Sequence, residues 1–237
     1  MRQFWHTRER QAADQFRRGS SDQGARSAVT GGQHMNGFAA RIIDVLVARG
    51  VQRQDVFYKV DRTETWATAV NSKTELPGYF RTSKSWDMLV LTDGKLRAII
   101  ELKSQVGSFG NNFNNRVEEA LGSATDFWTA YREGQFGTSP RPWLGYIFLL
   151  ADTAASRRAG SRIATPHFPA RSEFQSASYA RRLEFFCRRL VLERLYGSAC
   201  LILADPERAG ADVNYSEPAE DLAADQFLVD LVRHAIP

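Results

Sequence analysis

The sequence predicts an α/β fold with a central mixed sheet flanked by helices, on three observations. Residues 86–91, 96–103 and 143–150 are apolar runs of strand length, nearly continuous in branched and aromatic side chains, as strands covered on both faces are. Between the second and third lies a helical stripe of Phe113, Val117, Ala120, Leu121, Ala124, Phe127, Trp128 and Tyr131. A shorter stripe of Phe38, Ile42, Val45 and Leu46 comes before all of them, so helices and strands alternate as a layered α/β protein requires.

The chain has 237 residues, 43% hydrophobic and 24% charged, enough to bury a full core as one domain. Its expected parts are an N-terminal arm over 1–35, a core over 36–150 and a mainly helical C-terminal part over 151–237. No apolar run approaches the roughly 20 residues that span a bilayer, and the opening MRQFWHTRERQ lacks the apolar centre of a signal peptide. A cytoplasmic protein without a membrane partner is expected. Cys187 and Cys200 are too few for a disulfide framework and are expected to be reduced and buried. The net charge of +4 suits a polyanionic partner without specifying one.

In chain order, residues 1–17 read as an arginine-rich helix and 18–37 as loop. Asn36 is placed to cap the helix that Gly50 ends. Asp44 lies off its apolar stripe and reads as solvated. Residues 56–60 form a short strand, followed by a polar segment in which Leu76-Pro77-Gly78-Tyr79 makes a turn. Asp93-Gly94 is a hairpin signal between the two central strands. Residues 104–116, dense in glycine and amides, read as a loop entering a helix, with Asn112 as its cap and Gly134 beyond its end. Residues 179–196 form a helix that buries Leu183, Phe186, Cys187, Leu190 and Leu195. Its arginines, Arg181, Arg182, Arg188, Arg189 and Arg194, read as a solvated face partly paired with Glu184 and Glu193. Arg157, Arg158 and Arg162 sit in a small-residue loop within reach of phosphates. Ser216 is expected to open the segment capping a last helix, which packs Phe227, Leu228, Leu231 and Val232. His6, His34, His167 and His234 show no metal-ligand spacing.

Three charges interrupt the central hairpin: Asp87, Glu101 and Lys103. Side chains alternate along a strand, so Glu101 and Lys103 share a face. A two-residue Asp93-Gly94 turn alone pairs Trp86 with Glu101 and throws Asp87 onto the other face. A three-residue loop or a β-bulge brings Asp87 back beside Glu101, and one of these devices is expected.

Two converging carboxylates repel unless a cation lies between them, and oxygen ligands suit magnesium. A lysine beside them can orient and help deprotonate a water attacking a phosphodiester. The chain has five lysines among 31 basic residues, so basic residue usage alone does not favour lysine at position 103. The order of acid, hairpin, Glu-x-Lys, polar loop and helix resembles the PD-(D/E)XK nucleases, with Trp86 where the name expects proline. Asp87 and Glu101 are therefore the candidate Mg2+ ligands, and Asp87, Glu101 and Lys103 the candidate catalytic set. The segment after Lys103 offers amides and a guanidinium able to read base edges, so Gln105, Asn111, Asn114, Asn115 and Arg116 are the candidate DNA-binding residues.

A narrower resemblance rests on Leu76-Pro77-Gly78-Tyr79, Trp86-Asp87, Val90, Glu101-Leu102-Lys103-Ser104, the string Phe109-Gly110-Asn111-Asn112-Phe113-Asn114-Asn115-Arg116 and Glu118-Glu119-Ala120. Gly31-Gly32, Met35, Gly37-Phe38, Pro166-His167-Phe168-Pro169, Ala177-Ser178-Tyr179 and Cys187-Arg188 extend it over residues 28–195. The chain resembles the XhoI-type Type II restriction endonucleases. The resemblance implies a magnesium-dependent enzyme that cuts double-stranded DNA within CTCGAG, with a cognate DNA methyltransferase in the same system. A palindromic target further implies a homodimer. Two other readings stay open here: a repair or structure-specific nuclease of the same superfamily, and a DNA-binding protein that keeps the scaffold without catalysis.

Overall fold

All nine residues of the strand Trp143–Ala151 are buried. Their side chains divide by parity. Trp143, Ile147, Leu149 and Ala151 enter one apolar cluster, and Leu144, Tyr146, Phe148 and Leu150 enter another. A strand apolar on both sides needs a layer on each, and the computed structural model, which describes residues 1, 4–6, 35–58, 72–109, 112–207 and 215–236, supplies both.

The strands are β1 (Val56–Tyr58), β2 (Glu75–Pro77), β3 (Ser83–Ser85), β4 (Met88–Thr92), β5 (Lys95–Gln105), β6 (Trp143–Ala151), β7 (Ser198–Ala204) and β8 (Tyr215–Ser216). Six of them form one sheet in the order β1-β4-β5-β6-β7-β8, while β2 and β3 pair separately as a hairpin. The pairs β5–β6 and β6–β7 are parallel and the other pairs antiparallel, so the sheet is mixed. The helices are α1 (Asn36–Ala48), α2 (Phe113–Arg132), the single turn α3 (Ala154–Arg157), α4 (Tyr179–Leu192) and α5 (Ala224–Ala235). Ile42 and Leu46 of α1 and Phe227 and Leu231 of α5 pack one face of the sheet. Ala124 and Phe127 of α2, with Leu183 and Phe186 of α4, pack the other.

Several expectations need correction. The sheet continues past residue 150: β7 lies parallel to β6, fully buried, so the mainly helical segment after 150 also supplies a sheet strand. Asn36 is the first residue of α1 rather than its cap. Asn112 stands at the cap position of α2, but its backbone is helical (φ −102°, ψ −4°) and its side chain makes no capping bond. Leu121 is 39% exposed, off the buried stripe. The fourth helix stops at Leu192, and Arg194 turns left-handed at φ 56°. Its arginines pair with Glu184 as expected, through Arg181 and Arg188, while Arg188 also meets Asp221 and Arg189 meets Glu173. Ser216 lies in β8, and Glu217 accepts the first amide of α5, that of Ala224, at 2.8 Å. Of the expected arm, Met1, residues 4–6 and Met35 are described, with Phe4, Trp5 and Met35 buried; His34, Gly31-Gly32 and residues 59–60 lie outside the described residues. Cys187 and Cys200 are free and buried, as expected. Among the described residues no helix is long and apolar enough to cross a membrane.

Packing at the start of β6 yields a test. A Cβ at Gly145 would meet the Phe227 ring at 2.7 Å and the Trp143 ring closer still, whereas one at Gly122, on α2, meets nothing within 4 Å. Gly145→Ala should cost about 1–3 kcal/mol by overpacking, lowering the melting temperature by several degrees. Gly122→Ala should raise it through helix propensity. Thermal melts of both variants check this; a Gly145→Ala protein that melts with the wild type would contradict the packing.

Candidate active site

The register of the central hairpin decides whether three charges meet. Asp93 (φ 52°) and Gly94 (φ 70°) are both left-handed, a two-residue turn matched to strand twist. Leu91 pairs with Leu96, then the register shifts and Val90 pairs with Ala98, leaving Arg97 as the extra residue of a β-bulge. Met88 then faces Ile100, so Asp87 comes opposite Glu101 instead of Ile100. The amide of Leu102 donates to Asp87 Oδ2 at 2.8 Å, which fixes the aspartate beside the glutamate. Of the devices expected, the bulge is the one used.

Glu101 is 3% exposed, with Ile99 of its own strand and Tyr146 of β6 as neighbours. Burial opposes its ionisation, but two ammonium groups outweigh that. Lys103 Nζ lies 2.6 Å from Oε1, and Lys84 Nζ lies 3.2 Å from each carboxylate oxygen. Together they hold the Glu101 carboxyl below the usual carboxylate range. Burial likewise opposes the charge on Lys103, and the carboxylates of Glu101 and Asp87 overcome it, raising its pKa. The site thus holds an ionised Glu101 against an ionised Lys103. Glu101 Oε2 is buried without an aligned hydrogen bond among the described residues.

Lys84 was not among the residues singled out from sequence. The rarity of lysine in this arginine-rich chain marked it as strongly as Lys103, but it lay in a segment read as a polar connection. The structure makes that segment the β2–β3 hairpin, in register from Glu75↔Ser85 to Pro77↔Ser83. Asp126 of α2, only 3% exposed, clamps the turn: it accepts from the amides of Tyr79 at 2.9 Å and Phe80 at 2.7 Å and pairs with Arg81 at 2.8 Å. Gly78 permits this approach, since a Cβ there would fall 2.7 Å from the Arg81 carbonyl oxygen. Beyond the hairpin the Trp86 amide donates to the Thr74 carbonyl at 2.9 Å, and its ring meets Phe127 edge-on. The clamp and the tryptophan deliver Lys84 and Asp87 to Glu101.

The other candidates are scattered. Gln105 ends β5 instead of opening a loop; it is 7% exposed and donates to the Gly107 carbonyl. Asn114 and Asn115 are exposed on the first turn of α2. Arg116 is half-buried and pairs with Glu119 at 2.8 Å, and the Glu119 carboxylate adds to the charge that keeps Lys103 protonated. Asn111 and Gly110 lie outside the described residues. Arg157, in α3, pairs with Asp152 at 2.7 Å, while Arg158 and Arg162 are exposed. His6, His167 and His234 are exposed, and His234 stacks on Trp143.

Comparison with known proteins gives the site a setting. The family model described as restriction endonuclease XhoI matches residues 14–217. Over 219 residues the chain is 47% identical to the Type II restriction enzyme BstVI of Geobacillus stearothermophilus, covering 90% of this chain and 92% of the relative. It is 46% identical over 168 residues to the Type II restriction enzyme AbrI of Azospirillum brasilense, covering 70% of this chain and 69% of the relative. The Type II restriction enzyme XhoI of Xanthomonas vasicola is 43% identical over 192 residues, covering 81% of this chain and 72% of the relative. No solved structure matches.

Two tests follow from the geometry. Asp126→Ala leaves the Tyr79 and Phe80 amides without their acceptor, a loss of about 1–3 kcal/mol. Hydrogen exchange at those two amides should accelerate while that of β6 is unchanged; protection equal to wild type would refute the clamp. The charge pairing of Glu101 contributes stability that is complete above its ordinary value of about 4.3 and is lost as pH falls through its lower folded value. In chelator, the stability of wild type relative to Glu101→Gln should therefore decline as pH falls below that range, read from paired melts.

Proposed function

The chain belongs to the XhoI family of restriction endonucleases, and from that premise we propose a magnesium-dependent enzyme that cuts double-stranded DNA within CTCGAG as a homodimer. As a Type II restriction enzyme it is a site-specific deoxyribonuclease. The observation that carries the residue-level reading is the convergence of Asp87, Glu101 and Lys103 through the bulge at Arg97.

The donor set suits magnesium. Glu101 Oε2 is a buried carboxylate oxygen without an aligned hydrogen bond, and Asp87 adds a second carboxylate. Among the described residues no three acidic, histidine or cysteine side chains gather, so other coordination would fall to water and phosphate oxygens, as magnesium commonly accepts. A divalent cation there supplies stabilisation of charge on the phosphoryl oxygens. Asp87 and Glu101 hold it, and the Asp87–Leu102 hydrogen bond sets the spacing of the pair. Lys103, kept as an ammonium, acts first as a donor that orients the attacking water and steadies the phosphoryl group. The water oxygen forms the new bond to phosphorus and releases one proton to solvent, the ester P–O bond breaks, and the leaving oxygen takes one proton from solvent, so atoms and protons balance.

A two-fold target is met most simply by a two-fold protein with one active site per strand. For base or phosphate contact we retain Asn114, Asn115 and Arg116 on the first turn of α2, with Asn111 before it. Gln105, buried at the end of β5, serves better to shape the start of that segment. A cognate methyltransferase belongs to the same proposed system, which implies no direct contact with this chain.

Asp87→Ala, Glu101→Ala and Lys103→Ala should each reduce cleavage about 100-fold or more while leaving fold and DNA affinity largely intact. Plasmid carrying CTCGAG, incubated with and without magnesium, should give discrete fragments only with the metal. Smearing or structure-dependent nicking would point to another nuclease, shifted but intact DNA to a non-catalytic binder, and full cleavage by Asp87→Ala would sink the site assignment.

A further inference from the structure

We propose that Lys84 is a fourth functional residue of this site: a movable counter-ion that neutralises Glu101 in the empty enzyme and passes to a DNA phosphate when metal and substrate arrive. The proposal rests on Asp87 and Glu101 being the metal-holding pair.

In the structure Glu101 pairs with two ammonium groups, Lys84 and Lys103, and the Asp87 carboxylate adds to the field at Lys103. A divalent cation bound at the Glu101 carboxylate meets Lys84 directly, because Lys84 Nζ lies 3.2 Å from both of its oxygens. Like charges at such range in a buried setting repel strongly, so metal and Lys84 compete for one carboxylate.

The fold indicates which lysine yields. Lys103 is on β5, bonded to β4 on one side and β6 on the other. Lys84 stands on β3, which among the described residues pairs only with β2, outside the six-stranded sheet. Its ammonium lies 4.5 Å from the centre of the Trp86 ring, a face on which the charge stays favourable as the chain swings. Lys84 therefore leaves Glu101 without losing all compensation, and the anion it next meets is the substrate phosphate. DNA and metal then assist each other's binding: the phosphate draws Lys84 off the carboxylate, which frees the carboxylate for the metal, and the linkage is reciprocal.

Metal binding without DNA gives the first readout. Mn2+ should bind Lys84→Met and Lys84→Gln about ten-fold or more tightly than wild type, with free Mn2+ counted by electron paramagnetic resonance. Lys84→Arg, which keeps the charge, should match wild type. The second readout is the salt dependence of affinity for CTCGAG duplex, with Ca2+ replacing Mg2+ to hold off cleavage. Lys84→Met should show a slope shallower than wild type by about 0.9, one phosphate contact, whereas in chelator the slopes should coincide. A merely structural lysine would leave the slopes equal under both conditions. Unchanged or weaker Mn2+ binding by both neutral variants, or equal slopes in Ca2+, overturns the proposal. If Glu101→Ala binds Mn2+ as wild type does, the metal assignment itself fails and the proposal falls with it.

Discussion

A carboxylate only 3% exposed, in a strand covered on both faces, is the constraint around which this molecule is arranged. Such a charge is tolerable only where cations and donors reach it. The structure brings them from separate parts of the chain: Lys103 from the same strand, Lys84 from a hairpin outside the sheet, and Asp87 as a partner anion anchored on the Leu102 amide. Each arrangement has its own support. The bulge at Arg97 sets the register, the Asp126 clamp sets the hairpin, and the layers of α2 and α4 close the face on which Glu101 lies.

The surrounding fold follows from that face. The helix α2 both caps the apolar side of β5 and β6 and carries Asp126, so one element packs the core and aims the hairpin. Tyr196, on the segment after α4, donates its hydroxyl to the Ala120 carbonyl at 3.2 Å and joins α2 to the start of β7. A displacement of α2 thus reaches the active site by two routes, through the hairpin and through the Arg116–Glu119 pair beside Lys103.

Much of this was legible in the residues because it rests on local periodicity. The strands 86–91, 96–103 and 143–150 and the stripe from Phe113 to Tyr131 announce themselves by alternation and by 3.6-residue spacing. The acid, the Glu-x-Lys and the need for a register device follow from side-chain parity alone. What was not legible depends on distant contacts. The apolar run of β7, Ala199–Ala204, is only six residues long and lies in a part read as mainly helical, and pairing with β6 reveals it as a sheet strand. Lys84 joins the site through an aspartate 42 positions further along the chain, a relation no local pattern encodes. Gln105 looked like a loop amide because glycines follow it, yet the ladder with β6 runs through it.

The Asp126 clamp also bears on how this chain can drift in sequence. The aspartate recognises the amides of Tyr79 and Phe80, not their side chains, and those rings are 53% and 69% exposed. Almost any residue that keeps an N–H satisfies the clamp at either position. Gly78 has no such licence, because a side chain there strikes the Asp126 carboxylate and the Arg81 backbone. The turn therefore joins a frozen anchor to a freely variable tip, a place where the lineage can explore new surface chemistry beside its catalytic residues without disturbing how they are held.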